Sequence, residues 1–336
     1  MPPLYVVHQN AKIRIRNSRL QVEVDDDNAV EVISSQPLGH VNEIVLFGNI
    51  GITTPAIATL LSEDIHIAFL SEDGAYRGQL TGTLSPHVPL RRAQYRRLDE
   101  NDFVLEMARG FVLAKLQNQR ALLQRRVREQ IAEGLDPSVE QIKIAIDTAE
   151  RKTTLSSLRG LEGASTAAYF SAFRKLFDPE WRFEKRIRRP PPDPVNVLLS
   201  LGYTLMAQLS ASAVQTVGLD PYAGFLHEFV YNRPALALDL MEEFRPVVDG
   251  VVLWAARGGQ ITPHDFSPGP PERPVILSEP GLKRFLQAFE QRMSQTFTHP
   301  ITKTKLPLRQ CLVEQARQVA ARINNGSPGY TGMGFK

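Results

Sequence analysis

Residues 219–248 read LDPYAGFLHEFVYNRPALALDLMEEFRPVV, and this stretch decides how the rest of the chain is interpreted. A turn-rich entry precedes His227, and an apolar run with helical spacing follows over residues 235–244. Acidic residues interrupt that run three and four positions apart, so they are expected to share one face of a helix. These acidic residues are Asp239, Glu242 and Glu243.

A further carboxylate, Glu162, precedes a run of small residues. Carboxylates on one face repel each other unless water solvates them or a cation lies between them. Carboxylate oxygens with one imidazole suit Mn²⁺ or Mg²⁺ better than a metal that prefers thiolates. Two structural alternatives stay open here. In the first, His227 is a packing residue beside a solvated acidic face; in the second, Glu162 is incidental at a helix packing site. The small residues near Glu162 that would let a ligand or another backbone approach are Gly160, Gly163 and Ala164.

The first 80 residues have the pattern of a small sheet. Polar and apolar residues alternate over 12–16 and 19–24, and Asn17-Ser18 between them is a plausible hairpin turn. Thr53 and Pro55 mark the start of a short helix that ends near Leu61. Further strands are predicted over residues 43–47, 65–70 and 75–80.

The remaining chain has helical periodicity, interrupted by proline-rich loops such as RRPPPDP at residues 188–194. Helices are predicted over residues 91–132, 139–177, 195–217, 235–257, 281–297 and 308–324. The sequence therefore predicts an α+β chain with a small N-terminal β domain and a larger all-α catalytic domain. The predicted boundaries are 1–80 for the β-rich assembly domain, 81–90 for a linker, 91–324 for the metal-binding helical domain and 325–336 for a flexible tail.

Composition narrows the class of protein. The chain has 336 residues, of which 43% are hydrophobic, enough to bury a sizeable core. Its single cysteine, Cys311, excludes a disulfide framework and a multi-cysteine zinc site. We see no apolar run long enough to span a bilayer and no secretory signal at the start, and both points predict a cytoplasmic protein.

Charge is unevenly distributed along the chain. Residues 1–80 contain five basic and ten acidic side chains, a balance of −5, whereas residues 81–336 hold 34 basic and 26 acidic ones, a balance of +8. A basic larger part indicates a polyanionic partner, although solvated helix faces would give the same excess. The basic clusters are Arg91, Arg92, Arg96 and Arg97 around Tyr95; Arg120, Arg125, Arg126 and Arg128; and Lys185, Arg186, Arg188 and Arg189.

Several short motifs, in order along nearly the whole chain, resemble one known family. They are IVLFG at 44–48, LEG at 161–163, RPPPDPVN at 189–196, LLSLGY at 198–203, GFLH at 224–227 and LALDLMEEFRP at 236–246. The chain resembles the CRISPR-associated integrase, the nearly universal Cas protein "one", which inserts new spacers into a CRISPR array. Some members of that family have Asp where this chain has Glu242.

The resemblance implies a metal site formed by Glu162, His227 and Glu242, with Asp239 as a further acidic residue of the catalytic motif. It implies a metal-dependent DNA endonuclease and integrase, in which the 3′-hydroxyl of a captured fragment attacks a phosphodiester of the repeat. The implied partners are double-stranded DNA, a second copy joined through the β domains, and the small Cas protein "two". Two rival hypotheses are a catalytically inactive DNA-binding scaffold and a small-molecule metallohydrolase. DNA phosphates are predicted to contact Lys185, Arg186, Arg188, Arg189 and Arg245.

Overall fold

The computed structural model describes residues 2–26, 29–82, 87–326 and 330–335. Its N-terminal part is a pair of small sheets with one helix, α1 (Thr54–Ser62). The predicted helix and all five predicted strands are present, and three further strands were missed because two are very short and one lies at a sheet edge. The strands are β1 (Leu4–Val6), β2 (Lys12–Arg16), β3 (Arg19–Asp26), β4 (Ala29–Pro37), β5 (Glu43–Phe47), β6 (Gly51–Ile52), β7 (His66–Leu70) and β8 (Tyr76–Leu80).

The two sheets have the strand orders β1-β5-β7-β8 and β4-β3-β2-β6. Asn17 and Ser18 both have positive φ, as the turn of a tight hairpin requires, and this turn joins β2 to β3 as predicted. The parallel pairs β1–β5 and β5–β7 make β5 a central strand of the first sheet.

Strand β5 shows how the N-terminal part is attached to the rest of the protein. Its alternate residues face opposite sides of the sheet. Ile44 and Leu46 pack into a small core between the two sheets, whereas Val45 and Phe47 belong to the large core of the helical region. The first sheet is therefore covered on both faces by its own chain.

The helical region contains more helices than the periodicity predicts, because three predicted helices are each divided in two. Pro246, in the first turn of a helix, has no N–H to donate to the carbonyl of Glu242, and its ring crowds that carbonyl, so the predicted 235–257 helix is divided after Glu242. Thr154 begins another helix by accepting a hydrogen bond from Ser157 N at 3.2 Å. The helices are α2 (Val88–Leu98), α3 (Asn101–Arg128), α4 (Asp136–Ala149), α5 (Leu155–Phe173), α6 (Pro194–Val217), α7 (Ala235–Glu242), α8 (Arg245–Arg257), α9 (Glu279–Ser294) and α10 (Leu308–Asn325).

Two details correct the all-α description of this region. Short antiparallel ribbons connect its later elements, where the chain reverses too tightly for a helix. The linker predicted at 81–90 is also shorter than expected, since α2 already begins at Val88; its residues 83–86 lie outside the described part of the chain. The ribbons are formed by β9 (Phe266–Pro268) with β10 (Val275–Leu277), and by β11 (Thr296–Thr298) with β12 (Lys305–Pro307).

Helix α6 corrects the expectation that no apolar run is long enough to span a bilayer. Within the described residues it alone has a length and composition sufficient to cross a membrane. Most of its apolar stretch is buried inside the protein, with Leu198, Leu199 and Met206 fully enclosed. This is the environment of a central core helix.

The C-terminal segment also differs from the predicted flexible tail. Tyr330 and Met333 are buried, and the ring of Tyr330 packs at a tilt of 50° against Phe111 of α3, with ring centroids 4.6 Å apart. Asn118 of α3 donates to the carbonyl of Met333 at 2.7 Å and accepts from Phe335 N at 2.9 Å. Residues 330–335 therefore pack against the core; residues 327–329 and 336 of the predicted tail lie outside the described part.

Candidate metal centre and basic cleft

Helices α3, α5 and α7 bring one lysine and two glutamates together. Glu162 lies on α5, and Glu242 is the last residue of α7. Between them lies Lys115 of α3, whose Nζ is 2.7 Å from Glu242 Oε2 and forms a hydrogen-bonded ion pair with Glu162 Oε1. Thr166, one turn after Glu162, donates to the same Glu162 oxygen at 3.1 Å. The two predicted carboxylates thus face a single cationic position.

His227 approaches the same position from the loop before α7. Its Nε2 is 3.7 Å from Glu242 Oε1, and its Nδ1 is 2.7 Å from Asp239 Oδ1. An ionised carboxylate only accepts hydrogen bonds, so Nδ1 carries a proton and donates it in a hydrogen bond to Asp239, which directs Nε2 towards Glu242. A histidine oriented in this way by a carboxylate is the usual arrangement of a metal-binding imidazole.

Asp239 is directed away from the two glutamates and into the His227 loop. It is fully buried, and it accepts hydrogen bonds from the backbone N–H groups of Phe225 at 2.5 Å, Leu226 at 2.9 Å and His227 at 2.9 Å. With the imidazole included, four donors use its two oxygens. The loop can wrap this closely only because residue 224 is glycine: a Cβ there would lie 2.6 Å from the Ala235 carbonyl carbon.

The three acidic residues of α7 and its C-terminus do not share one carboxylate face. Asp239 binds the His227 loop, and Glu242 binds cations. Glu243, one residue past the end of α7, accepts from Tyr330 Oη at 2.6 Å and from Met333 N at 2.6 Å. The expectation of a shared face is wrong for Glu243, because the helix ends at Glu242; Asp239 and Glu242 do lie on the same side and flank the His227 ring.

Electrostatics keep Glu242 ionised. Burial by itself would raise the pKa of Glu242, but Arg245, Lys115 and His227 outweigh burial and hold that pKa well below its usual value. Arg245 Nε donates to Glu242 Oε1 at 2.7 Å. Glu242 is therefore an anion at neutral pH.

These residues fit a divalent cation by the chemistry of their donors. Two carboxylates and one imidazole nitrogen are ligands that Mn²⁺ and Mg²⁺ accept. Glu242 Oε2 is buried and has no hydrogen-bond partner in the described part of the chain, although it is paired with the Lys115 ammonium. Among the described residues, no group of three His, Cys, Asp or Glu side chains is arranged closely enough to hold a metal ion, because the Lys115 ammonium lies between the two glutamates.

A basic cleft of about 540 Å³ opens beside this centre. It extends from Lys115 to the segment before the proline run, and small residues of α5 leave it open. Gly163 lines the cleft, and a Cβ at Gly160 or Gly163 would meet no atom within 4 Å, so no helix packs there. The charged residues lining the cleft are Lys115, Arg174, Glu184, Lys185, Arg186, Arg188 and Arg245.

Four of the five predicted DNA contacts line this cleft, and they differ in exposure. Lys185 and Arg188 are exposed, whereas Arg245 is mostly buried against Glu242. Arg186 is partly buried, and its guanidinium donates to Asn196 Oδ1 at 2.8 Å and Ser200 Oγ at 3.1 Å. The fifth, Arg189, is exposed but does not line the cleft.

The motif RPPPDPVN fixes the backbone of the basic segment 185–189 through hydrogen bonds. Asn196 accepts from Ile187 N at 2.9 Å and donates to the carbonyl of Lys185 at 2.9 Å. Asp193 accepts from Asn196 N at 2.9 Å, which caps the start of α6. The exposed cations are therefore presented by a fixed backbone.

Tyr203 links Arg186 and Arg245. Their guanidinium carbons lie 5.4 Å and 4.7 Å from the centre of its ring, and its hydroxyl donates to the buried Asp249. Asp249 also accepts from Tyr169 Oη at 2.8 Å. This network holds the side chains of Arg186 and Arg245, both of which line the cleft.

The other two basic clusters lie outside the cleft lining. In the first, Arg97 pairs with Glu100 at 2.7 Å; in the second, Arg125 and Arg126 pair with Glu129. Sequence reasoning missed Lys115, although one signal was present. A lysine on the apolar face of α3, one turn after Phe111, requires an anionic partner.

Comparison with known proteins gives the family of this arrangement. The profile described as "CRISPR associated protein Cas1" matches residues 4–291. The chain is 41% identical over 303 residues to "CRISPR-associated endonuclease Cas1 3" of Thermus thermophilus, covering 89% of this chain and 88% of that protein. It is 37% identical over 98% of its length to a Cas4/Cas1 fusion of Geobacter sulfurreducens, of which it spans 59%.

Solved structures agree on the fold. A casposase bound to integration product superposes with a TM-score of 0.85 at 20% identity, over 98% of this chain and 93% of that one. The family profile and the relatives each cover most of the sequence, and the resemblance seen in its motifs indicates the same family. This chain therefore belongs to the Cas1 family of CRISPR-associated endonucleases.

Proposed function

We propose that this protein is a divalent-metal-dependent DNA integrase and endonuclease that inserts short fragments into a CRISPR array. The observation that supports this most strongly is the placement of two carboxylates and an oriented imidazole at the end of a basic cleft. A metal-binding donor set beside phosphate-binding cations suits a phosphodiester substrate.

In the proposed reaction Glu162, His227 Nε2 and Glu242 hold Mn²⁺ or Mg²⁺. The bound ion would lower the pKa of the attacking 3′-hydroxyl and stabilise the charge that develops on the phosphate. Asp239 acts through His227: it fixes the ring and keeps the proton on Nδ1. We therefore assign Asp239 as a positioning residue within the predicted catalytic set.

The cleft cations orient the DNA. Lys185 and Arg188 are exposed for phosphate contact, and Arg245 lies next to Glu242. The 3′-oxygen of the fragment forms a new bond to phosphorus, and the displaced 3′-oxygen of the repeat strand leaves and gains a proton. No protein nucleophile takes part in this exchange.

The proposed partners are double-stranded DNA, a second copy of this chain and the small protein Cas2. A relative in a "Cas6-RT-Cas1--Cas2 complex" is 27% identical to this chain, with a TM-score of 0.83, and this chain spans 36% of its length. That relative supports Cas2 as a partner, and the cytoplasm as the compartment stays a prediction.

Single changes to an uncharged amide side chain test the proposal. Glu242 is buried between Lys115 and Arg245. Glu242→Ala would leave these two cations without an anionic partner and destabilise the fold by about 3–5 kcal/mol. We therefore choose the variants Glu162→Gln, His227→Asn and Glu242→Gln. Each should abolish nicking and strand transfer of a 3′-hydroxyl duplex at saturating Mn²⁺, and circular dichroism checks that each variant keeps the helical content of the parent.

The matched control is Glu140→Gln, on an exposed helix face of α4, which should keep full activity. Chelation should stop the reaction of the parent protein. Metal-independent cleavage, or normal activity of any one of the three site variants, would contradict the proposal. Binding of DNA without any product at all would favour the inactive scaffold.

A further inference from the structure

Lys115 is the one member of the centre that a metal site does not need. Its side chain is only 4% exposed, and both glutamates that would hold the metal are its partners. Burying an ammonium is costly unless anions surround it, and burying two carboxylates together is costly unless a cation separates them. Lys115 satisfies both requirements when the centre is free of metal.

We propose that Lys115 is a built-in competitor of the metal, whose ammonium holds Glu162 and Glu242 together in the metal-free protein and moves into the cleft when a divalent cation binds. This inference rests on the metal centre proposed above. It assigns to one side chain the control of when, and by which cation, the centre is occupied.

The competition follows from position and charge. The ammonium nitrogen lies 2.7 Å from Glu242 Oε2, and a Mg²⁺ or Mn²⁺ bound by that oxygen would lie closer still, at about 2.1 Å, so the two cations exclude each other. Two like charges at contact distance in a buried site repel strongly, because little water screens them. A monovalent ion offers the carboxylates no more charge than the ammonium does, whereas a divalent ion offers twice as much.

The displaced side chain has an open route. Lys115 already lines the basic cleft, so rotation of its flexible stem places Nζ there without moving the helix. The helix itself is fixed one turn later, since Asn118 donates to the carbonyls of Glu243 at 2.9 Å and Met333 at 2.7 Å. In the cleft a DNA phosphate replaces the glutamates as the partner of the ammonium.

Calorimetric titration of Mn²⁺ into the full-length protein, free of DNA, tests the proposal. Lys115→Met keeps the length of the stem and removes the charge, and Lys115→Gln is the second variant in case the first folds poorly. We expect Mn²⁺ to bind either variant on the order of tenfold tighter than the parent. Lys143→Met, an exposed lysine of α4, is the control for net charge and should leave the affinity unchanged.

Thermal unfolding provides a second readout that does not depend on activity. Without metal, the Lys115 variants should melt below the parent, because Glu162 and Glu242 then face each other without a cation. Saturating Mn²⁺ should raise their melting temperature by more than it raises that of the parent.

Equal or weaker Mn²⁺ binding by both Lys115 variants, alongside measurable binding by the parent, would overturn the competitor role and leave the metal centre standing. A failure of the parent and of both variants to bind Mn²⁺ would overturn the metal centre, and the competitor role with it. The two failures are therefore distinct in the same titration.

Discussion

Asp239 shows how far a residue's role depends on which way it faces. The sequence placed it in the acidic motif, but its four hydrogen-bond donors all belong to the 225–227 loop. That orientation follows from the close packing at Gly224, which periodicity does not reveal. Glu162, Glu242 and His227, by contrast, converge as the family resemblance implies.

Asp239→Asn should weaken Mn²⁺ binding by about ten- to a hundredfold without abolishing it. The amide NH₂ would face backbone N–H donors, so the loop shifts and His227 loses its fixed tautomer. Calorimetry measures the affinity, and His227→Asn, which removes a ligand, should show the larger loss. Unaltered Mn²⁺ affinity in Asp239→Asn would mean that His227 binds the metal equally well without the hydrogen bond between its Nδ1 and the Asp239 carboxylate.

Asp249 makes stability depend on pH. Burial raises its pKa from an ordinary 3.8 to about 6, although hydrogen bonds from Tyr203 and Tyr169 and the charges of Arg245 and Arg186 lower it. The folded protein then binds this proton more tightly than the unfolded chain does. Its contribution to stability is therefore greatest below about pH 4 and is lost as pH rises to about 6, by at most about 1.4 kcal/mol per pH unit.

Asp249→Asn removes this dependence, because an amide does not titrate. Urea unfolding of parent and variant at several pH values should show the stability difference between them changing only within that window. Asp147→Asn, a change at an exposed carboxylate of α4, is the control and should leave the pH profile of the parent unaltered. A variant whose profile parallels that of the parent would place the titration on another group.

At the level of elements, periodicity predicted most helices and strands but not where the helices divide. Pro246 was visible in the sequence, yet the apolar pattern continues across it and hid the break before α8. Sequence alone favoured the 185–189 cluster as a DNA contact and left the other two basic clusters open. Only the fold shows that the 185–189 cluster lines a cleft, because cleft formation depends on the open face at Gly163 of α5.

The basic segment 185–189, which precedes α6, should supply phosphate contacts. Changing Lys185, Arg188 and Arg189 together to Ala should weaken duplex binding and flatten the slope of log affinity against log salt by about one unit per lost contact. Arg186 is left intact because it donates a hydrogen bond to Asn196, the residue that fixes the backbone of this segment. Binding is measured by fluorescence anisotropy over a salt series.

The control for this element is an equal loss of charge elsewhere. Changing Lys283, Lys303 and Lys305 to Ala removes three exposed cations that do not line the cleft. It should leave the salt slope unaltered. An equal effect of both triple changes would show that only net charge matters and that the cleft does not hold DNA.

For the whole molecule, the N-terminal sheets point to self-association. The first sheet is covered by its own helical region, but edge strand β4 of the second exposes Val30, Val32 and Ile33 by 56%, 45% and 44%. An unprotected apolar edge is a common site of pairing with another copy. We expect a dimer by light scattering at micromolar concentration, and Val30→Glu with Val32→Glu should shift it towards monomer.

Point changes are preferable to deletion here. Removing residues 1–80 would uncover the large core, to which Val45, Phe47 and Leu70 belong, so loss of function would have two explanations. Ile301→Glu, an exposed apolar residue in the β11–β12 loop, is the control and should leave the dimer intact. A parent protein that remains monomeric would refute self-association through β4.

The C-terminal segment has a consequence for how the protein is made. A ribosome releases the chain from its N-terminus, so residues 330–335 emerge after every helix described above. Until they do, Glu243 lacks its hydrogen bonds from Tyr330 and Met333, and Asn118 of α3 lacks its hydrogen bonds with Met333 and Phe335. Chains without residues 330–335 therefore lack these contacts beside Lys115 and Glu242, so the proposed metal centre gains its full support only after every helix described above has been synthesised.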